Sequence, residues 1–226
     1  MEIKNLEIIG GYKYVRKQVE KHLSMLHDLS SSEKDYIDEC LPAALTKVRD
    51  CWSEISNKYY NRGSQPTFDI NNSNQYAQFL LIFARALNVQ GYSLFADKVF
   101  GLNKALNSCD IYHEVILPRS FYIDHTLGIV IGRAKLGERL FLSQSCIIGS
   151  NPGQPDYPVL GVDNYLMSNV TLVGNVKTGD RVIFAVGSMV KDMDIPSDSI
   201  VFGRTPDNVI KPLKPETFTK SSPFII

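Results

Sequence analysis

Between Leu160 and Val190 a residue able to face a core recurs at every sixth position: Leu160, Leu166, Leu172, Thr178, Phe184 and Val190. Four residues after each of the first five comes Asn164, Val170, Val176, Val182 or Ser188, small or β-branched apart from the asparagine. Two interleaved series sharing this period match neither the 3.6-residue turn of a helix nor the alternation of a strand. They match a chain that turns a corner every six residues, so that three short strands complete one triangular coil of a parallel β-helix. The same spacing recurs earlier in Ile116 and Tyr122, and in Leu136, Leu142 and Ile148 with Leu140 and Cys146 as the small series. The phase slips twice, around Ile123-Asp124-His125-Thr126-Leu127-Gly128 and again across Gly149 to Val159. A solenoid tolerates insertions only as loops thrown off one face, and such loops commonly carry function.

The first half has a different rhythm. Val15, Val19, Leu23 and Leu26 fall on one face of a helix predicted over Tyr12 to Asp28, with His22 and His27 assigned to the surface. Ser30-Ser31-Ser32-Glu33 is a capping box, and the long helix it announces buries Ile37, Leu41, Leu45, Val48, Trp52 and Ile55, with Cys40 and Cys51 beside that stripe. Asn61 to Asn74 is rich in turn formers, and Asn74 is the expected cap of a third, strongly apolar helix to Val89. After Gln90-Gly91 a fourth helix carries Leu94, Phe95, Val99, Phe100, Leu102 and Leu106. The expected architecture is therefore α+β: a helical N-terminal domain over residues 1–107, a left-handed parallel β-helix over 108–212, and a C-terminal tail over 213–226. The hand is not set by periodicity, since parallel crossovers are otherwise right-handed.

Composition narrows the function more than the fold. Twenty-four basic and 24 acidic side chains give a formal net charge of zero, so no global field attracts nucleic acid or an anionic membrane. The opening residues lack the apolar core of a signal peptide, and the most apolar run, Phe79 to Leu87, is interrupted by Arg85. A soluble cytoplasmic protein without membrane insertion is expected. Cys40, Cys51, Cys109 and Cys146 have no CxxC spacing and read as reduced thiols. No P-loop or GxGxxG fingerprint is present.

The chemistry is expected where the period fails. His125 stands at the first slip beside Asp124, with Asp110 fifteen residues upstream. One full turn of the solenoid takes eighteen residues, so Asp110 and His125 can lie nearly above one another. A carboxylate on one ring nitrogen fixes the tautomer and leaves the other nitrogen as a base. That is the orienting logic of a catalytic triad without the protein nucleophile. The structural alternative for an Asp-His pair is a hydrogen-bonded turn.

Asp110-Ile111-Tyr112-His113 and Ile123-Asp124-His125-Thr126-Leu127-Gly128-Ile129-Val130-Ile131-Gly132 resemble the D-I-H-P and L-D-H-A-T-G-I-V-V-G segments of bacterial serine acetyltransferases, with the same spacing from aspartate to histidine. Leu172 to Val176, Gly187 to Val190 and Gly203 to Pro212 resemble further segments of that family, so the likeness covers Asp110 to Pro212. The resemblance implies an acetyl-CoA-dependent O-acetyltransferase acting through a ternary complex, with His125 as base and Asp110 as its positioning carboxylate. It implies backbone N–H groups near Gly149 as oxyanion donors and acetyl-CoA along the solenoid between neighbouring subunits. By correspondence with the family, Gly149, Ser168 and Val186 are the cofactor-binding positions, and Arg204 and Lys211 face the CoA phosphates. For both cations, ordinary solvated charge is the alternative. A homotrimer or a dimer of trimers follows from the same resemblance, as does cysteine synthase as a partner through a terminal isoleucine, here Ile226. Cys146, at a small position of the repeat, is expected to be a wall residue.

One departure bears on the substrate. Where the family carries Arg-His-Pro in the acceptor loop, this chain has Asp156-Tyr157-Pro158. An aspartate in place of the arginine repels a substrate carboxylate. Asp124 is retained, and Asp69 corresponds to an aspartate of the family's serine pocket. The acceptor-binding set is thus Asp124, Asp156, Tyr157 and Asp69, and the expected acceptor is a hydroxyl of a sugar or glycan instead of free serine. Genuine serine acetylation, a sugar-amine acceptor and a non-catalytic trimeric scaffold remain alternatives. A zinc enzyme of the carbonic anhydrase type needs three converging histidines, and this half offers two, His113 and His125; no metal is expected.

Overall fold

The structure, a computed structural model, describes residues 2–63 and 65–225; Ile226, the expected terminal contact, lies outside them. The chain divides into two compact units. One runs to Ser108 and takes in Tyr112–Glu114; the other holds Cys109–Ile111 and the chain from Val115 onward.

The first unit contains helices α1 (Gly11–Ser24), α2 (Ser31–Trp52), α3 (Ser73–Val89) and α4 (Ser93–Asn107). Helix α2 begins at the expected capping box: the Ser30 hydroxyl accepts the Glu33 N–H at 3.2 Å, and the Glu33 carboxylate accepts the Ser30 N–H at 2.9 Å. The predicted stripe, Ile37 to Ile55, is buried throughout, as are Cys40 and Cys51. Trp52 meets Tyr60 and Phe68 at ring-centroid distances of 4.9 and 5.7 Å, and Phe68 leads on to Phe79 and Phe83. This aromatic chain is the core of the unit.

Several helical details differ from expectation. Leu26 lies past the end of α1 and is exposed, and Leu94 and Leu106 face solvent on α4. The cap of α3 is Asn72, whose side chain accepts the Gln75 N–H, because Asn74 is already inside the helix. His22 is part-buried, its Nδ1 2.8 Å from the Tyr76 hydroxyl, and burial lowers its pKa while raising that of Tyr76. The turn-rich stretch after Asn61 contains strand as well. Gln65–Phe68 pairs in parallel with Glu7–Ile8 and antiparallel with Asn61–Arg62.

The second unit is a left-handed parallel β-helix of about five turns. One face is a sheet of five short strands, from Cys109–Ile111 through Ile129–Ile131, Ile147–Gly149 and Thr171–Val173 to Met189–Lys191. A second face stacks Phe121–Ile123, Leu140–Leu142, Asn164–Leu166, Val182–Phe184 and Ser199–Phe202, closed by the antiparallel strand Val209–Pro212. The third face is narrower, with Lys135, Val159 and Lys177 in parallel register and Lys177–Thr178 pairing Asp194–Ile195. Both six-residue series point inward: Leu160, Leu166, Leu172, Phe184 and Val190 are buried, as are Asn164, Val170, Val176, Val182 and Ser188. Thr178 is half-buried, and its hydroxyl donates to the Asn164 side chain at 2.7 Å. The first coil differs from expectation. Ile116 is 70% exposed, whereas Tyr122 is buried along with its neighbours Phe121 and Ile123, its ring 5.5 Å from that of Phe141.

Sharp corners between flat strands require left-handed backbone, which L-residues adopt at a cost. One corner column is Arg139, Asp163, Arg181 and Asp198, all at φ between 54° and 60°. Arg139 makes a double hydrogen bond to Asp163, and Arg181 another to Asp198. Alternating charge thus links coils at the positions where the backbone is least favourable. Beside this column, Gly137 and Gly161 have no alternative, since a Cβ on either would collide with the backbone of the next coil.

The tail returns to its own coil. After Leu213, helix α5 (Pro215–Ser221) brings Phe218 into a stacked contact with Tyr165 at 5.3 Å. Phe224 is buried 6.0 Å from the same ring, and the Tyr165 and Ser222 hydroxyls are 2.9 Å apart.

Candidate active site

The corner bearing His125 is longer than those stacked on it. From Phe121 to Val130 is nine residues, whereas the equivalent steps Leu140 to Ile147, Asn164 to Thr171 and Val182 to Met189 are seven. The two additional residues leave the coil as a bulge. His125 sits in it at φ +57° with its side chain 67% exposed, and Gly128 closes it at φ +74°. Asp124 Oδ2 lies 3.7 Å from His125 Nε2, within ion-pair reach. On either side Ile123 and Thr126 stay buried, so the bulge is anchored by the solenoid core.

Asp110 stands on the outer side of the face that follows this corner. Its flanking residues Cys109 and Ile111 point inward, and it pairs in register with Val130, five residues after His125. Val130 in turn pairs with Ile147, and both are about two-fifths exposed. A carboxylate, an exposed imidazole and a shallow apolar strip therefore share one edge of one face.

Backbone hydrogen bonds show what lies above His125 on the same corner. The Ser145 N–H donates to the Leu127 carbonyl, that of Asn169 to Gln144, and that of Gly187 to Ser168, stacking Leu127, Gln144, Ser168 and the Val186-Gly187 turn. Ser168 and Val186, predicted to hold the cofactor, are thus brought onto the corner of His125, with Val186 70% exposed. Arg204 pairs in parallel with Met189, the first residue of the strand that follows this corner, and so lies one coil beyond it on the neighbouring face. Sequence reasoning missed Ser143, whose hydroxyl is 2.5 Å from Gln144 Oε1 and 3.2 Å from the Ser168 hydroxyl. Its signal was its place one coil above Asp124, whose N–H donates to the Leu142 carbonyl. Lys211 is on a different face, its ammonium 5.5 Å from the centre of the Phe202 ring.

The second break in period is an insertion at the opposite edge of the face. Ile147 to Val159 is twelve residues where Thr171 to Lys177 is six. The loop leaves at Gly149, whose carbonyl accepts the Gly174 N–H, and returns at Pro158, whose carbonyl accepts the Lys135 N–H. Asn151 is tethered to Asp192. Asp156 is exposed and Tyr157 half-buried. Gly149 thus stands at the far end of the strands that follow the corner of Ser168 and Val186, and Asp156 and Tyr157 belong to the same edge, away from His125. Asp69 lies in the helical unit, where its Oδ1 accepts from the Asn71 backbone and side chain, shaping the approach to α3.

Cys146 lies inside the coil, its Sγ 3.1 Å from the Met167 carbonyl, and burial pushes its thiol up to about 11. Such a thiol is protonated at neutral pH and no nucleophile. Among the described residues no cluster of three or more His, Cys, Asp or Glu side chains is placed to hold a metal ion, and no helix is long and apolar enough to cross a membrane. His113, counted above with the β-helix, belongs to the helical unit.

Comparison with known proteins gives likenesses mainly to serine acetyltransferases. Serine acetyltransferase 4 of Arabidopsis thaliana is 31% identical over 110 residues, 47% of this chain and 29% of that protein. The serine acetyltransferase of Synechococcus elongatus is 30% identical over 105 residues, 45% of this chain and 43% of that protein. The chain thus spans less than half the length of these curated relatives. A crystal structure of the serine acetyltransferase of Brucella abortus in complex with coenzyme A matches the fold with a TM-score of 0.66 at 17% identity, over 88% of this chain and 81% of that one. No family model matches the chain. In sequence and fold the chain resembles the serine acetyltransferases.

Proposed function

We propose that this chain is an acetyl-CoA-dependent O-acetyltransferase that transfers the acetyl group directly to an acceptor hydroxyl. The observation that carries the reading is the two-residue bulge that presents His125 beside Asp124 at the foot of an open, hydroxyl-lined corner. The imidazole takes the proton of the acceptor hydroxyl as its oxygen attacks the thioester carbonyl. The C–S bond then breaks, and the CoA sulfur leaves with that proton returned from the imidazolium. Asp110 is the carboxylate that fixes the ring, and Asp124 flanks the attacking oxygen. N–H groups of the Gly149 loop stabilise the oxyanion. No acyl-enzyme forms, in keeping with the inert Cys146.

Acetyl-CoA is assigned to the column of Ser168 and Val186, with Arg204 toward its phosphates. The relative from Brucella abortus that carries coenzyme A supports the choice of acyl donor. Gly149 and Lys211 stand away from that column, which fits a donor held between copies of the chain. His125 at one edge of the face and Asp156-Tyr157 at the other likewise call for a neighbouring subunit, and a homotrimer supplies it.

For the acceptor, Asp156 replaces a carboxylate-clamping cation with a negative charge, which favours a sugar or glycan hydroxyl. The names of the relatives favour a second reading, acetylation of serine. Cysteine synthase as a partner belongs to this second reading; Phe224 and Ser222 lie on Tyr165, and Ile226 is outside the described residues.

The test is thiol release from acetyl-CoA against L-serine, other amino acids, nucleotide sugars and glycans. His125→Ala is expected to lower the rate by roughly 10²- to 10⁴-fold, the range for loss of a positioned base. Full activity in His125→Ala overturns the mechanism; efficient acetylation of L-serine by the intact protein overturns the glycan reading.

A further inference from the structure

Two backbone bonds bracket the His125 bulge against the coil above it. The Asp124 N–H donates to the Leu142 carbonyl, and the Ser145 N–H to the Leu127 carbonyl. The residues between, Ser143 and Gln144, therefore lie over the base of the bulge that carries His125 and Thr126, at the spacing of adjacent strands, about 4.8 Å. Gln144 is half-buried and Ser143 is buried. Their side chains form a directed ladder. The Ser143 hydroxyl donates to Gln144 Oε1 at 2.5 Å. Having given its one proton to that bond, it accepts from the Ser168 hydroxyl, 3.2 Å away on the next coil. With its oxygen held in this way, the Gln144 carboxamide keeps both Nε2 protons for another acceptor, and no acceptor among the described residues takes them.

The place of Gln144 in the column gives those protons a use. Below it is the coil of the base, His125; above it is Ser168, where the column assigned to acetyl-CoA begins. The thioester carbonyl is the group of the donor that must reach the acceptor hydroxyl on His125, and it crosses the coil of Gln144 in doing so. We infer that Gln144 is a catalytic residue of the acyl transfer: an Nε2–H donates to the thioester oxygen as that oxygen takes on negative charge, and Ser143 positions the carboxamide. When the acceptor oxygen adds, the C=O electron pair moves onto the thioester oxygen, and it returns to re-form the carbonyl as the C–S bond breaks. Gln144 stabilises the charge in between and keeps its own protons. The inference rests on the reaction proposed above. It adds a donor from the same copy of the chain as His125, whereas Gly149 stands at the far end of the strands.

The decisive variant is Gln144→Met, which keeps the length of the side chain and removes its N–H donors. In thiol release from acetyl-CoA with the best acceptor of the panel, it is expected to lower kcat by roughly 10²-fold, the lower end for loss of one oxyanion donor. KM for acetyl-CoA stays within about threefold, since the contact strengthens only in the transition state. Ser143→Ala is expected to lose about fivefold in kcat, the worth of one orienting hydrogen bond, and Ser143→Thr, which keeps the hydroxyl, to regain most of it. Should Gln144→Met not fold, Gln144→Glu is read in its place at neutral pH, where the carboxylate offers no proton. A loss of kcat under about tenfold in the folded variant, a loss carried by KM alone, or unchanged kcat in Ser143→Ala overturns the inference. With His125→Ala measured alongside, an inactive His125→Ala and a fully active Gln144→Met sink the role of the glutamine alone, whereas an active His125→Ala sinks the reaction beneath it.

Discussion

At the scale of single residues the site depends on contrasts of environment. His125 and Cys146 belong to successive coils, yet one is thrown out to 67% exposure and the other is sealed in the core. Nucleophilic chemistry through Cys146 would require a thiolate that burial disfavours at its raised pKa of about 11. Cys146→Ala should therefore keep acetyl transfer within about threefold while costing stability through the cavity it leaves, and thiol labelling of the folded protein at pH 8 should spare it. Rapid labelling of Cys146 with loss of activity would contradict this. Asp156 is the second contrast. If its charge sets the acceptor, Asp156→Arg combined with Tyr157→His should raise kcat/KM for L-serine by at least about tenfold, the scale of one charge-assisted contact. No gain would remove the charge argument and leave free serine as good an acceptor as before.

At the scale of elements the two breaks in the repeat have different origins. The bulge at His125 adds two residues to a corner without disturbing the strands on either side, so it reorients a side chain while Ile123 and Ile129 remain in the core. The Gly149 loop adds a whole side's worth of chain and is fastened at both ends by backbone hydrogen bonds. The tail closes a third surface. Tyr165, Phe218 and Phe224 form an aromatic cluster on the outside of the coil, and burial raises the Tyr165 pKa. Deleting the chain beyond Leu213 should cost about 3–5 kcal/mol, an upper figure for uncovering two phenylalanine side chains. The readout is the thermal melt, and an unchanged melting temperature would show that the tail is no structural part of the coil.

At the scale of the whole molecule, the proposed assembly predicts a scattering mass near three times the chain mass of 25.4 kDa, with activity lost on dilution to monomer. A fully active monomer would refute it. The sequence determined the solenoid, because a coil of three flat sides admits a buried side chain at fixed intervals, and that interval is written directly in Leu160 to Val190. It also determined where the solenoid is interrupted, and the α2 capping box, since both are local. Only the tertiary structure decided which way the surplus residues leave the coil, as a count of residues does not say whether His125 turns in or out. The same holds for Ile116, which keeps the period but has no coil to cover it, and for Tyr112 and His113, which follow a β-strand in sequence yet pack on a helix. Those outcomes depend on partners far away in the chain, Asp97 for one and Leu142 for the other, and no local pattern of hydrophobic and polar residues encodes them.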